Sequence, residues 1–89
     1  MHLTLRQLKI FEAVARHLSF SRAADELHLT QPAVSMQVRS LEEAAGLPLT
    51  EQVGKKIFLT EAGGALARHA RGVAQHLRAA EEALAAMKG

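Results

Sequence analysis

Phe20-Ser21-Arg22-Ala23-Ala24-Asp25-Glu26-Leu27-His28-Leu29-Thr30-Gln31-Pro32-Ala33-Val34-Ser35-Met36-Gln37-Val38-Arg39-Ser40-Leu41 is the segment around which this 89-residue chain is built. It reads as two short helices joined by a tight turn. Ser21 is suited to cap the first, and Ala23, Ala24 and Leu27 give it an inward stripe small enough for a second helix to approach closely. Leu29 plugs the turn. Thr30 is placed to accept from early amides of the next helix, and Pro32 falls in its first turn, where a missing N–H costs least. The second helix therefore begins near Gln31.

In that helix Val34, Val38, Leu41 and Ala45 recur at spacings of four, three and four, which places them on one buried face. The opposite arc holds Pro32, Ser35, Met36 and Arg39, with Ala33 and Ser40 at its edges, and carries no acid. Glu42 and Glu43 come only at the C-terminal end. Short polar or apolar groups followed by a cation suit a helix that enters a DNA major groove and passes phosphate. The same pattern is compatible with an ordinary helical hairpin whose outer face is solvated, and residue pattern alone leaves both readings open.

Composition narrows the class. Eighty-nine residues make one domain with a thin core, so a partner surface is expected. Apolar residues are 48% of the chain, yet the only aromatics are Phe11, Phe20 and Phe58, which fits alanine-rich helix packing better than a sheet core. The class is mainly α. A net charge of +2 spread along the chain does not by itself point to nucleic acid; the placement of cations must carry that argument. The absence of cysteine excludes disulfides and thiolate metal sites. No apolar run has membrane length and Met1-His2-Leu3-Thr4 lacks an export pattern, so a cytosolic protein without membrane contact is expected.

Ahead of the hairpin, Thr4 and Gln7 form a candidate capping box, and Leu5, Leu8, Phe11, Val14, Ala15 and Leu18 predict a bracing helix to about His17. Arg6 and Lys9, on its outer side, are as readily solvated charges as phosphate contacts. After it, Gly46 suits a left-handed helix end and Pro48 prevents resumption. Leu47 to Thr60 then predicts two short strands and a turn, with Gly54, Lys55 and Lys56 at its tip, where two ammonium groups suit phosphate or a minor groove.

Thr60 can cap a last helix with Glu61 in its first turn, running to about Lys88. Leu66, Ala70, Val73, Leu77, Ala80, Leu84 and Met87 recur at alternating four and three, a sustained seam that predicts pairing of two copies. Arg68, Arg71, Gln75, Arg78 and Glu82 form its solvated face. His69 and His76 stand about 10.5 Å apart along the axis, too far to share a metal, and no other histidine has ligand spacing. No phosphate loop, nucleophile with a nearby base, cofactor motif or metal cluster appears, so no catalytic residue is expected.

Phe20-Ser21-Arg22-Ala23-Ala24, Leu29-Thr30-Gln31-Pro32-Ala33-Val34-Ser35, Leu41-Glu42 and Leu59-Thr60-Glu61-Ala62-Gly63 together resemble the N-terminal domain of LysR-type transcriptional regulators. The runs His28 to Val38 and Glu51 to Lys56 further resemble the Calvin-cycle operon regulators called CbbR. The resemblance covers essentially the whole chain. It implies a winged helix-turn-helix over 1–60, with the hairpin at about 20–41 and the wing at about 47–60, followed by a linker and dimerisation helix over 61–89. It also implies a C-terminal effector-binding domain, which no stretch of these residues could form. The implied partners are an interrupted palindromic operator, a second copy of the chain through the linker helix, and, for the full-length protein, RNA polymerase and a small-molecule effector.

On this reading Gln31, Pro32, Ser35 and Met36 meet base edges; Ser21, Arg22, Thr30 and Arg39 meet phosphates; and Lys55 and Lys56 act from the wing. Three positions depart from the family. Relatives commonly have Leu-Phe-Glu-Arg where Leu49-Thr50-Glu51-Gln52 stands, which predicts a more loosely packed wing and shifts backbone contact onto Lys55 and Lys56. Many carry arginine where Met36 stands; a thioether instead reads by apolar contact, for instance with a thymine methyl. The competing reading is a helical protein-interaction module whose seam binds a partner and whose hairpin is only scaffold.

Overall fold

Thr4 and Gln7 start the first helix by bonding each other's backbone. Thr4 Oγ1 accepts from the Gln7 N–H and Gln7 Oε1 accepts from the Thr4 N–H, both at 3.1 Å, which completes the expected capping box. The computed structural model describes all of residues 1–89, and this helix, α1, runs Leu5–His17. Leu18 ends it in the left-handed region at φ 49°.

The second helix, α2 (Phe20–Leu27), begins two residues earlier than Ser21 capping would allow. Ser19 is the cap: its backbone is extended, and its Oγ accepts from the Arg22 N–H at 3.1 Å. The left-handed Leu18 has already reversed the chain, so Phe20 can begin the helix and Ser21 lies within its first turn, its hydroxyl 3.2 Å from Ser19 Oγ. At the other end His28 (φ 57°) donates to the Asp25 carbonyl at 3.3 Å and Leu29 donates to the Ala24 carbonyl at 2.9 Å. This pair of bonds is a Schellman closure, here without glycine. Thr30 then caps α3 (Gln31–Ala45), accepting from the Ala33 N–H at 3.2 Å, with Pro32 in the first turn. Gly46 at φ 70° ends α3 as expected.

Strands β1 (Thr50–Val53) and β2 (Lys56–Leu59) pair antiparallel, Thr50 with Leu59 and Val53 with Lys56. The turn is therefore only Gly54-Lys55, and Gly54 supplies the positive φ of 64° that a two-residue hairpin needs at its first central position. Lys56 is not at the tip, as the sequence had suggested, but opens β2. Ile57 and Leu59 of β2 are partly buried against the core, and in β1 only Thr50 is partly buried.

The last helix, α4, spans Glu61–Lys88. Its start is locked to the end of the α3–β1 connection. Thr60 Oγ1 accepts from the Gly63 N–H at 3.0 Å and donates to the Pro48 carbonyl at 2.7 Å, and the Thr60 N–H donates to the Leu49 carbonyl at 3.1 Å. A Cβ on Gly63 would stand 1.9 Å from the Leu49 oxygen, so only glycine permits this approach.

Ile10, Phe11, Ala13 and Val14 of α1, Ala23 and Ala24 of α2, Val34, Val38 and Leu41 of α3, Leu49, and Ala67 of α4 form one core. The seam drawn along α4 is corrected at its near end: Leu66 packs against this core and Ala70 is 2% exposed within the single chain. Small side chains at Ala67 and Ala70 let α1 lie along the first turns of α4, so these positions serve the chain's own domain. Val73 and Leu77 are partly open, and Ala80, Leu84 and Met87 lie beyond the domain in solvent.

Candidate nucleic-acid interface

Burying Val34, Val38 and Leu41 rotates the other side of α3 outward. Gln31, Pro32, Met36 and Arg39 are exposed there and Ser35 is half-buried. Met36 is 68% exposed, an apolar side chain left bare on a polar helix face. No carboxylate interrupts this surface. Glu42 faces the wing, where Oε2 accepts from the Leu49 N–H at 2.8 Å and the Thr50 N–H at 3.4 Å. That bond ties the end of α3 to the root of the hairpin, a task the sequence reading did not assign to Glu42; its place in the Leu41-Glu42 motif was the available signal.

The α2 and α3 N-termini and the wing line a common open groove. Ser21 and Arg22 come from α2, Gln31 from α3, and Lys55 and Lys56 from the hairpin, so five of the expected contact residues share it. Gln52, Phe58 and Leu18 are also among its walls, and none of these three was expected. Thr30 is exposed at the α3 start, its oxygen already engaged as the cap. Arg39 lies apart, beside Glu42, Glu43 and the Gly46 turn.

Ion pairing is confined to one place. All three ion pairs of the chain involve Arg16 or His17. Arg16 donates through Nη1 and Nη2 to both Glu26 oxygens at 2.7 and 2.6 Å and through Nε to Glu12 at 2.9 Å, while His17 Nε2 lies 2.8 Å from Glu26. The Arg16 guanidinium, with His17 second, holds the Glu26 carboxyl down at about 2, and the same bonds raise Arg16 further above its ordinary value. This network joins α1 to α2, and its His17 reaches the edge of the groove. Arg22, Arg39, Lys55 and Lys56 make no ion pair. No group of histidine, aspartate and glutamate side chains is arranged to hold a metal, and no helix is long and apolar enough to cross a membrane.

A three-helix core with a two-stranded wing, an exposed second helix of the hairpin free of acids, and unpaired cations beside it define a winged helix-turn-helix domain. Comparison with known proteins agrees: the model for the bacterial regulatory helix-turn-helix protein, lysR family, matches residues 5–64. The chain belongs to the LysR family. It is 58% identical over 89 residues to the RuBisCO operon transcriptional regulator of Allochromatium vinosum, all of this chain and 30% of that protein. It is 55% identical over 85 residues to the HTH-type transcriptional regulator CbbR of Rhodospirillum rubrum, 96% of this chain and 28% of that one. The resemblance to CbbR regulators is thereby borne out, and the chain spans under a third of those relatives. Among solved structures it is similar to a CbnR DNA-binding domain in complex with DNA, at a TM-score of 0.81 and 36% identity, covering 96% of this chain and 99% of that one.

Proposed function

We propose that this chain is the duplex-DNA-binding unit of a dimeric, cytoplasmic transcription regulator, without enzymatic activity, acting on carbon-fixation genes. The observation that carries this reading is the outward face of α3: exposed at Gln31, Pro32 and Met36, free of carboxylates over its first two turns, and flanked by Arg22, Lys55 and Lys56, which form no ion pair within the chain. A protein that leaves such charges unpaired beside a projecting helix is shaped for a polyanion. Gln31, Pro32, Ser35 and Met36 supply base-edge contacts; Ser21, Arg22, Thr30 and Arg39 supply phosphate contacts; Lys55 and Lys56 supply contacts from the wing. The names of the relatives support the carbon-fixation role, and the DNA complex of the CbnR domain supports the docking mode.

A second copy pairs through the part of α4 that leaves the domain, at Val73, Leu77, Ala80, Leu84 and Met87, and the pair reads two half-sites of an interrupted palindrome. In the full-length protein RNA polymerase and a small-molecule effector are the further partners. The test is a binding series on duplexes selected by the chain from a random pool. Substitution of Gln31 or Ser35 is expected to change preference among sequences, whereas Lys55→Gln is expected to weaken all of them and flatten the salt dependence. Equal effects from both kinds of substitution would contradict the division.

A further inference from the structure

Gln52 lines the same groove as Gln31, Lys55 and Lys56, at the position where the resemblance places an arginine in many relatives. Its Nε2 donates to the carbonyl of Gly54, the first residue of the hairpin turn, at 3.3 Å. A carbonyl only accepts, so the nitrogen must be the end of the amide that faces it. Oε1 diverges from the same carbon, points away from that bond and makes no hydrogen bond within the chain. The wing therefore presents an acceptor beside its two lysines.

What that acceptor would meet follows from groove geometry, and the step rests on the DNA-binding reading above. With α3 in a major groove about 12 Å wide, the neighbouring minor groove, about 6 Å wide, lies across one sugar-phosphate strand. In that docking the strand passes between the start of α3 and the hairpin, along the groove that Gln31, Lys55 and Lys56 line, and the wing on its far side faces the minor groove. Adenine, thymine and cytosine offer only acceptors there; the N2 amino group of guanine is the one donor. We infer that Gln52 is a specificity-determining residue that accepts from guanine N2 and selects a G·C pair beneath the wing. An arginine at this position would instead favour the narrow minor groove of A·T tracts, so the substitution inverts the preference of the wing without altering α3.

Inosine isolates this contact, because it lacks only the N2 amino group and leaves the major-groove edge of guanine intact. In the duplex the chain selects, each guanine outside the pairs protected by α3 is replaced in turn by inosine, and affinity is measured for the unmodified chain and for Gln52→Met, a variant of similar length without a strong acceptor. At one position of each half-site inosine is expected to weaken the unmodified chain about fivefold, the value of one neutral hydrogen bond, and Gln52→Met is expected to bind the guanine and inosine duplexes alike. Salt-sensitive binding that is indifferent to inosine at every position, an A·T pair that serves as well as G·C, or discrimination that survives in Gln52→Met overturns the inference while leaving the DNA-binding reading intact. Failure to bind any duplex at low salt overturns the DNA-binding reading itself.

Discussion

The junction at the back of the domain and the face at its front use similar side chains to opposite ends. At the back Arg16 is held by Glu12 and Glu26, Glu42 by the Leu49 and Thr50 amides, and Thr60 by Pro48 and Gly63. At the front Arg22, Arg39, Lys55 and Lys56 have no acidic partner and Met36 stands bare. Polar groups at the back are satisfied internally and hold helices at fixed distances. Polar groups at the front are left for a ligand. Substitutions at the back should therefore alter stability, and substitutions at the front should alter binding alone.

The sharpest way to break this division is Gly63→Ala. Its Cβ would meet the Leu49 backbone oxygen, which cannot step aside as a flexible side chain would. A loss of about 3 kcal/mol in denaturant unfolding is expected; an unchanged midpoint would mean that α4 is not seated as described. Glu42→Ala comes next, since it leaves the amide of the buried Leu49 without its acceptor. About 2 kcal/mol of stability should be lost, and amide exchange should speed up in the wing before it does in α1. Arg39→Ala belongs to the front. It should weaken duplex binding about tenfold, lower the salt slope by about 0.9 and leave the unfolding midpoint unchanged; a fall in stability with no loss of binding would reverse its assignment.

The smallest expected effect concerns acid. The folded Glu26 carboxyl, at about 2, lies below its ordinary value of 4.5 because Arg16 and His17 bond the ionised form. Its contribution is therefore present above pH 4.5 and is lost as pH falls from there towards 2. The pair is largely exposed and screened, so less than about 1 kcal/mol is at stake. In unfolding curves across that window Glu26→Gln should show a shallower fall than the unmodified chain; identical curves would remove this bond from the back junction.

Local chemistry was enough to place most elements. Thr4 with Gln7, Thr30 with Pro32, Gly46, and Thr60 with Glu61 mark helix ends through bonds within one turn, and the structure puts each end where those residues predict. Ser21 misled because two serines flank Phe20, and the choice between them depended on the left-handed turn at Leu18, which has no glycine to announce it. The seam of α4 misled at Leu66 and Ala70 for a different reason. Heptad spacing tells which residues share a face; it does not tell how far along that face α1 will lie.

The order of nearest-neighbour residues thus determined the helix boundaries other than the start of α2, the hairpin of the wing and the acid-free outer arc of α3, because caps, turns and amphipathic stripes are satisfied within a few residues of chain. Only the tertiary structure decided that Arg16 would grip Glu26 from another helix, that Glu42 would hold the wing and that Gly63 would admit the Leu49 carbonyl. It also decided that Gln52 would stand with Gln31 and Lys55 along one groove. Those pairings depend on the angles at which whole elements pack, and no short-range preference carries that information.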